Sequence, residues 1–328
     1  MSKNRILVIA PAWLGDLVIS LSFLNALRKK FLNHQIDLIV NENLYDIAKH
    51  FPNISKIIPV KIKHGKLSFF YRIRLGLELR KNHYVKCYIL SNSIKSSMIP
   101  FIAKIKERIS YIGEFRYGLI NRIIEPIDRK EGMVNRYLNL LGSRYDESLM
   151  PRINYKNGNK DTNKSISIDR DYIVFCPDAE YGPAKRWPIN KWVELANKIN
   201  NQYQIIFIGL DQSIDSSLKS IKTDYINLIN KTSLNDILSI LSNASCVIAN
   251  DSGLMHLAAA LDKPIVGIFG SSSPIYTPPL THDKKRSIIY KNLNCSPCFK
   301  RQCPLEHLNC LNDIHVDHVR DEVFKLIN

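Results

Sequence analysis

Apolar and polar positions along the chain alternate between two periods. Short continuous apolar runs, as expected of strands buried on both faces, are followed by stretches with apolar residues every three or four positions, as expected of covering helices. Residues 5–11 (RILVIAP) form the first run, and Leu17, Leu21, Leu24 and Phe31 then recur at helical spacing. That helix ends in Arg28, Lys29 and Lys30, where cations suit the dipole. Residues 35–40 predict a second strand, 44–51 a short helix, 55–60 a third strand and 86–90 a fourth. The alternation restarts with a strand at 172–176, a helix at 190–200, a strand at 204–209 and a helix at 234–244. A strand at 246–250, a helix at 254–261 and a strand at 264–270 follow. Residues 152–170 between the two series are rich in Asn, Lys, Asp and Ser. The pattern predicts an α/β protein of two Rossmann-like doubly wound domains facing each other across a cleft. The expected divisions are 1–155, a linker at 156–170, and 171–328, with the last helix able to pack back on the N-terminal domain. Ligands of such folds sit outside the carboxyl ends of the strands.

A length of 328 residues suits two domains, and 45% hydrophobic with 23% charged residues suits a soluble core-forming chain. No uncharged apolar run reaches the roughly 18 residues that a membrane span needs. Lys3 and Arg5 ahead of apolar residues imitate a signal peptide, but Asp16 interrupts the run, so a mature cytoplasmic protein is expected. Cys87, Cys176 and Cys246 in apolar surroundings fit a reducing compartment. The net charge of +16 is lopsided. Residues 1–150 carry 25 Lys and Arg against 12 Asp and Glu, a balance of +13, whereas residues 151–328 carry 21 against 18, a balance of +3. A basic half suits a polyanionic partner; solubility and a Lys/Asn/Ile-rich composition explain the charge equally well.

Three polar interruptions carry candidate chemistry. In residues 245–270, SCVIANDSGLMHLAAALDKPIVGIFG, a strand breaks at Asn250–Gly253 and resumes at once as an alanine-rich helix. The first amides of such a helix and its dipole make an anion site, and Gly253 lets a ligand approach the backbone. Taken alone, the residues favour a plain junction capped by Asp251 or Ser252, with His256 a structural histidine. Residues 176–192, CPDAEYGPAKRWPINKW, follow a strand on the same face. There Lys185 and Arg186 are either solvated charges or partners of a diphosphate leaving group. In residues 10–18, APAWLGDLV, Asp16 stands where the first helix begins, as an N-cap or as a general base.

Together these segments resemble the heptosyltransferases of glycosyltransferase family nine, over the span from the first strand to about Pro279. The resemblance implies a GT-B fold and an inverting single displacement without an obligatory metal or other cofactor. It implies ADP-heptose as donor and the heptosyl-Kdo2-lipid A inner core of lipopolysaccharide as acceptor. On that resemblance Asp16 matches the catalytic base, Lys185 the lysine that meets the donor phosphates, and Asp251 the acid near the donor sugar. Ser252, Gly253 and Leu254 match the helix start that receives the diphosphate, and His256 the motif histidine. Asp178 and Asn230 depart from the pattern, each standing where glycine is expected.

A phosphorylated glycolipid acceptor gives meaning to the basic half, which would associate peripherally with the inner membrane. Residues 61–86 interleave cations with aromatic residues, and Glu78 is the only acid among them. Nucleic acid is not expected as a partner, since no nucleic-acid-binding motif accompanies the charge. The alternatives are a family member with a different acceptor, a nucleotide-sugar epimerase, or a non-enzymatic basic membrane-binding protein. Cys295, Cys298, Cys303 and Cys310, with His307 nearby, have spacing that can hold zinc, while free thiols and a local disulfide remain open. This cluster is expected off the strand-end face.

Overall fold

A computed structural model describes residues 4–62, 67–155, 168, 170–199 and 202–328. The expected linker at 156–170 lies almost entirely outside the described residues. The chain divides into two compact units, Met1–Pro151 and Arg152–Asn328.

The N-terminal unit holds strands β1 (Arg5–Ile9), β2 (Gln35–Asn41), β3 (Lys56–Val60), β4 (Tyr84–Ile89), β5 (Glu107–Ser110) and β6 (Arg122–Ile123). Its helices are α1 (Leu14–Ile19), α2 (Leu21–Lys30), α3 (Tyr45–Ala48), α4 (Phe69–Leu79), α5 (Ile94–Ile102) and α6 (Gly132–Leu138). The strands pair in the order β3-β2-β1-β4-β5-β6, all parallel. Such a sheet needs both faces covered, which is why β1 reads as an apolar run and β2 as one interrupted only by the buried Asp37 between its polar ends. The single helix expected across Leu17–Phe31 is two, α1 and α2, joined at Ser20. The Ser20 hydroxyl donates to the Leu17 carbonyl at 2.6 Å, a local bond that competes with the helical ladder.

The C-terminal unit repeats the plan with β7 (Tyr172–Cys176), β8 (Gln204–Phe207), β9 (Tyr225–Asn227), β10 (Cys246–Asn250), β11 (Ile265–Phe269) and β12 (Arg286–Tyr290). Its helices are α7 (Ile189–Ile199), α8 (Asp215–Leu218), α9 (Leu234–Asn243), α10 (Gly253–Ala260), α11 (Asn309–Asn312) and α12 (Val316–Ile327). The order β12-β11-β10-β7-β8-β9 is the same topology again, with the strand direction of travel reversing between β7 and β10 as it does between β1 and β4. Ligand crevices of doubly wound sheets open at such reversals. Trp187, Trp192, Phe175 and Phe207 pack edge-on or tilted at centroid distances of 5.2–5.4 Å beneath α7, and fix the loop that follows β7. The C-terminal helix α12 packs on α7 and on β10, β11 and β12 of its own unit.

Candidate active site

The carboxyl ends of β7 and β10 meet at the strand reversal, and Asn250 ties them together. Its side-chain amide donates to the Pro177 carbonyl at 2.6 Å, and its carbonyl oxygen accepts from the Trp187 backbone N–H at 3.1 Å. Both loops are thereby held at fixed spacing, with Asn250 fully buried. Sequence reasoning read Asn250 only as part of a polar turn.

This frame brings Lys185 and Asp251 together. The ammonium donates to Oδ2 at 2.5 Å, with the two side chains 17% and 3% exposed, so Lys185 is no solvated surface charge. His256 Nε2 lies 3.7 Å from Oδ1, an ion-pair rather than a hydrogen-bond distance, and the Thr277 hydroxyl lies 3.4 Å from it. Burial alone would push the Asp251 carboxyl up; the neighbouring His256 and Lys185 outweigh burial and hold it down at about 2. Thr277 carries no signal in the sequence, being 26 residues from its partner. Tyr181 lies under Lys185, with the ammonium 5.1 Å from the ring centroid.

Asp251 does not cap α10. Ser252 occupies the cap position in extended backbone, but its hydroxyl makes no capping bond. The first amides of α10, from Gly253 and Leu254 on, therefore have no side-chain acceptor from the cap, and the helix keeps its positive end for a ligand. Buried side-chain atoms without a partner lie at the start of α10, Ser252 Oγ and His256 Nδ1, and just after β11, Ser271 Oγ and Ser272 Oγ. Orphaned buried polar atoms at a strand-end crevice suit a polar ligand that supplies the missing partners.

The two departures from the resemblance are resolved locally. Asp178 turns away from Lys185 and accepts from the backbone N–H groups of Leu210 and Asp211 at 2.5 and 2.8 Å. Asn230 has φ +54°, the left-handed conformation for which glycine is the default and asparagine a tolerated alternative. Arg186 is drawn to Asp211 at 2.5 Å and braces the same loop from outside.

In the N-terminal unit Asp16 follows β1 at the corresponding strand reversal. It is not the N-cap: Trp13 holds that position, and Asp16 is the third residue of α1, within its first turn. A half-buried carboxylate there is favoured by the dipole and stands at the carboxyl end of the first strand.

The cysteine-rich segment is closer to the site than its sequence suggested. Ala184 N–H donates to the Arg301 carbonyl at 3.1 Å, the Tyr181 hydroxyl to the Phe299 carbonyl at 2.8 Å, and Phe299 N–H to the Ser271 carbonyl at 2.7 Å. Residues 299–301 thus clamp the Lys185 loop, and a Cβ on Gly182 would sit 2.6 Å from the Arg301 carbonyl. All seven cysteines are free thiols. Among the described residues no group of three or more His, Cys, Asp or Glu is arranged to hold a metal ion.

A family model described as glycosyltransferase family 9 (heptosyltransferase) matches residues 72–309. The chain belongs to glycosyltransferase family 9. It is 37% identical over 303 residues to lipopolysaccharide heptosyltransferase 2 of Salmonella typhimurium, covering 85% of this chain and 86% of that one. It is 33% identical over 304 residues to lipooligosaccharide heptosyltransferase 2 of Haemophilus influenzae, covering 84% and 86%. The structure of Escherichia coli ADP-heptose lipopolysaccharide heptosyltransferase II superposes with a TM-score of 0.83 at 32% identity, covering 98% of each chain. The two parallel six-stranded sheets flanked by helices are those of a GT-B glycosyltransferase, as the family resemblance led one to expect.

Proposed function

We propose that the chain is an inverting heptosyltransferase that moves a heptose from ADP-heptose to the heptosylated inner core of lipopolysaccharide. The observation that carries this reading is the Lys185–Asp251 pair at the unsatisfied start of α10, in a family 9 chain whose relatives at 33–37% identity are type 2 heptosyltransferases. In this reading the diphosphate of the donor takes the amides of Gly253 and Leu254 and the ammonium of Lys185. Negative charge grows on the leaving phosphate oxygen as its bond to the anomeric carbon breaks. Fixed donors placed there stabilise that charge without reorganising. Asp251 and His256 stand beside the sugar, and the hydroxyls of Ser252, Ser271 and Ser272 gain the partners they lack. Asp16 removes the proton of the acceptor hydroxyl as its oxygen attacks the anomeric carbon from the opposite face. ADP departs with the bonding electrons, and configuration inverts. In this reading Lys185 and the helix dipole supply the charge neutralisation, and no cofactor takes part.

The acceptor is a phosphorylated glycolipid, so the enzyme would work in peripheral contact with a membrane. No helix among the described residues is long and apolar enough to cross one. The test is ADP release from ADP-heptose with and without truncated lipopolysaccharide acceptors. Release only with heptosylated acceptor supports the reading. Conversion of the donor without acceptor would instead indicate epimerase chemistry, and release with an acceptor lacking the first heptose would move the assignment to another acceptor class.

A further inference from the structure

The N-terminal unit exposes a group of large apolar side chains that neither the fold nor the proposed transfer uses. On α4, Phe70, Arg74 and Leu77 follow one another at helical spacing, Lys81 continues the row in the turn after the helix, and all four are exposed, Phe70 to 84%. On α5 the outward positions are Ile94, Met98 and Phe101, again one face of a helix. The two helices pack closely because Gly76 has no side chain: a Cβ there would lie 2.7 Å from the Cβ of Ile102. A third element joins at the start of α5, where the Glu114 carboxylate accepts from the Ile94 backbone N–H at 2.9 Å. The loop it belongs to carries Phe115, 82% exposed, and Tyr117, 68% exposed.

Two buried arginines hold these pieces in place, so the exposure is built rather than incidental. Arg72 donates to the carbonyls of Leu67 and Lys95, each at 2.8 Å, and ties the start of α4 to the start of α5. Arg116, fully buried, donates to the carbonyls of Tyr111 and Ser91 and to the hydroxyls of Ser97 and Ser110 at 2.6–3.0 Å. Burial pushes its guanidinium down to about 10.

The surrounding charge identifies the partner. On and just after these helices Arg74, Arg80, Lys81, Lys104 and Lys106 are exposed, against the exposed acids Glu78 on α4 and Glu114 on the loop. Apolar rings that project from a basic field match the boundary of a bilayer whose headgroups are anionic: rings enter the acyl boundary while ammonium and guanidinium groups stay among the phosphates. A protein partner with an apolar face would leave this charge unanswered.

We propose that the outer face of α4 and α5, with the Phe115–Tyr117 loop, is a docking surface for an anionic lipid bilayer. Its biological meaning rests on the glycolipid-acceptor reading above, but its test does not. The full chain is mixed with vesicles of phosphatidylcholine alone, or of phosphatidylcholine with phosphatidylglycerol, and the bound fraction is read by co-sedimentation. The wild-type chain should bind the anionic vesicles, less at high salt, and leave the neutral ones largely unbound. A variant with Phe70→Ser and Phe115→Ser should lose roughly two orders of magnitude in partition, since two exposed rings no longer enter the bilayer. Arg74→Glu with Lys81→Glu should also weaken binding and flatten its salt dependence. Both pairs are solvent-exposed, so unchanged melting temperatures certify folding, and Phe70→Ser alone gives the same direction if the double variant fails. Transfer to a water-soluble, lipid-free acceptor should stay at the wild-type rate in every variant. Equal vesicle binding by wild type and the double serine variant overturns the proposal. So does a wild-type chain that ignores anionic vesicles but sediments as a dimer that the variant dissociates. Vesicle binding through this face without any ADP release would leave the docking surface standing and remove the transferase reading.

Discussion

Replacing Lys185 by Met removes the ammonium and keeps most of the side-chain volume. Asp251 then remains 3% exposed, with His256 Nε2 at 3.7 Å and the Thr277 hydroxyl at 3.4 Å as polar neighbours. Burial, the largest influence on this carboxyl, is then opposed by His256 without the help of Lys185. In the native protein Asp251 sits at about 2 against an ordinary 3.8. That depression corresponds to ~2 kcal/mol of stability held by the ionised form. Because the folded value is the lower one, this stabilisation is complete above about pH 4 and is lost as the pH falls from there through about 2. The Met variant lacks the Lys185 share of it at neutral pH. For a unit of this size, ~2 kcal/mol is worth about 4–8 °C in melting temperature. Scanning calorimetry from about pH 7 to about pH 3 should therefore show a gap that is a part of this amount and narrows through the acid range. A gap that stays constant with pH, or no gap at neutral pH, would refute the assignment of Asp251 as a buried carboxylate held ionised by Lys185.

Three further outcomes are expected. Asp16→Asn should lower transfer by about 10²–10⁴-fold, the usual contribution of a positioned base, with melting temperature and ADP affinity nearly unchanged; retained turnover would remove Asp16 from that role. Gly182→Ala meets φ +150° and the Arg301 carbonyl 2.6 Å away, so it should cost ~1–3 kcal/mol by chemical denaturation and weaken ADP binding through the Lys185 loop. Asn230→Ala should cost ~1 kcal/mol at its left-handed position, and Asn230→Gly should recover most of it; equal losses in the two variants would contradict the backbone explanation.

The two series of apolar runs and their polar breaks were legible because central parallel strands are buried on both faces: β1, β7, β10 and β11 are mostly apolar, and β2 keeps an apolar core around Asp37. Some edge and near-edge strands escaped, although β3 and β8 did not. β5 reads Glu-Arg-Ile-Ser, β6 is two exposed residues, and β9 is three half-buried ones, none long or apolar enough to show a period. At the site, Lys185, Asp251 and His256 read from the residues alone equally as a solvated charge, a cap and a structural histidine, and the family resemblance singled them out. Asn250 and Thr277 were not singled out, since a bridging amide and a hydroxyl look like ordinary turn residues until the partner segment is in place. Residues 299–301 were misjudged for a related reason: their contribution is through backbone carbonyls and an amide, which no side-chain motif announces. The N-terminal cap of α1 was likewise placed on Asp16, the most capable side chain nearby, whereas the helix starts three residues earlier at Trp13 without a side-chain cap.

The most direct test of the site is calorimetric titration of ADP and of adenosine into the wild-type chain and the Lys185→Met variant. A diphosphate held by Lys185 and the start of α10 predicts that ADP binds far more tightly than adenosine, and that the variant weakens ADP alone by about 10–100-fold. Equal affinities for ADP in the two proteins, or no preference for ADP over adenosine, would contradict it.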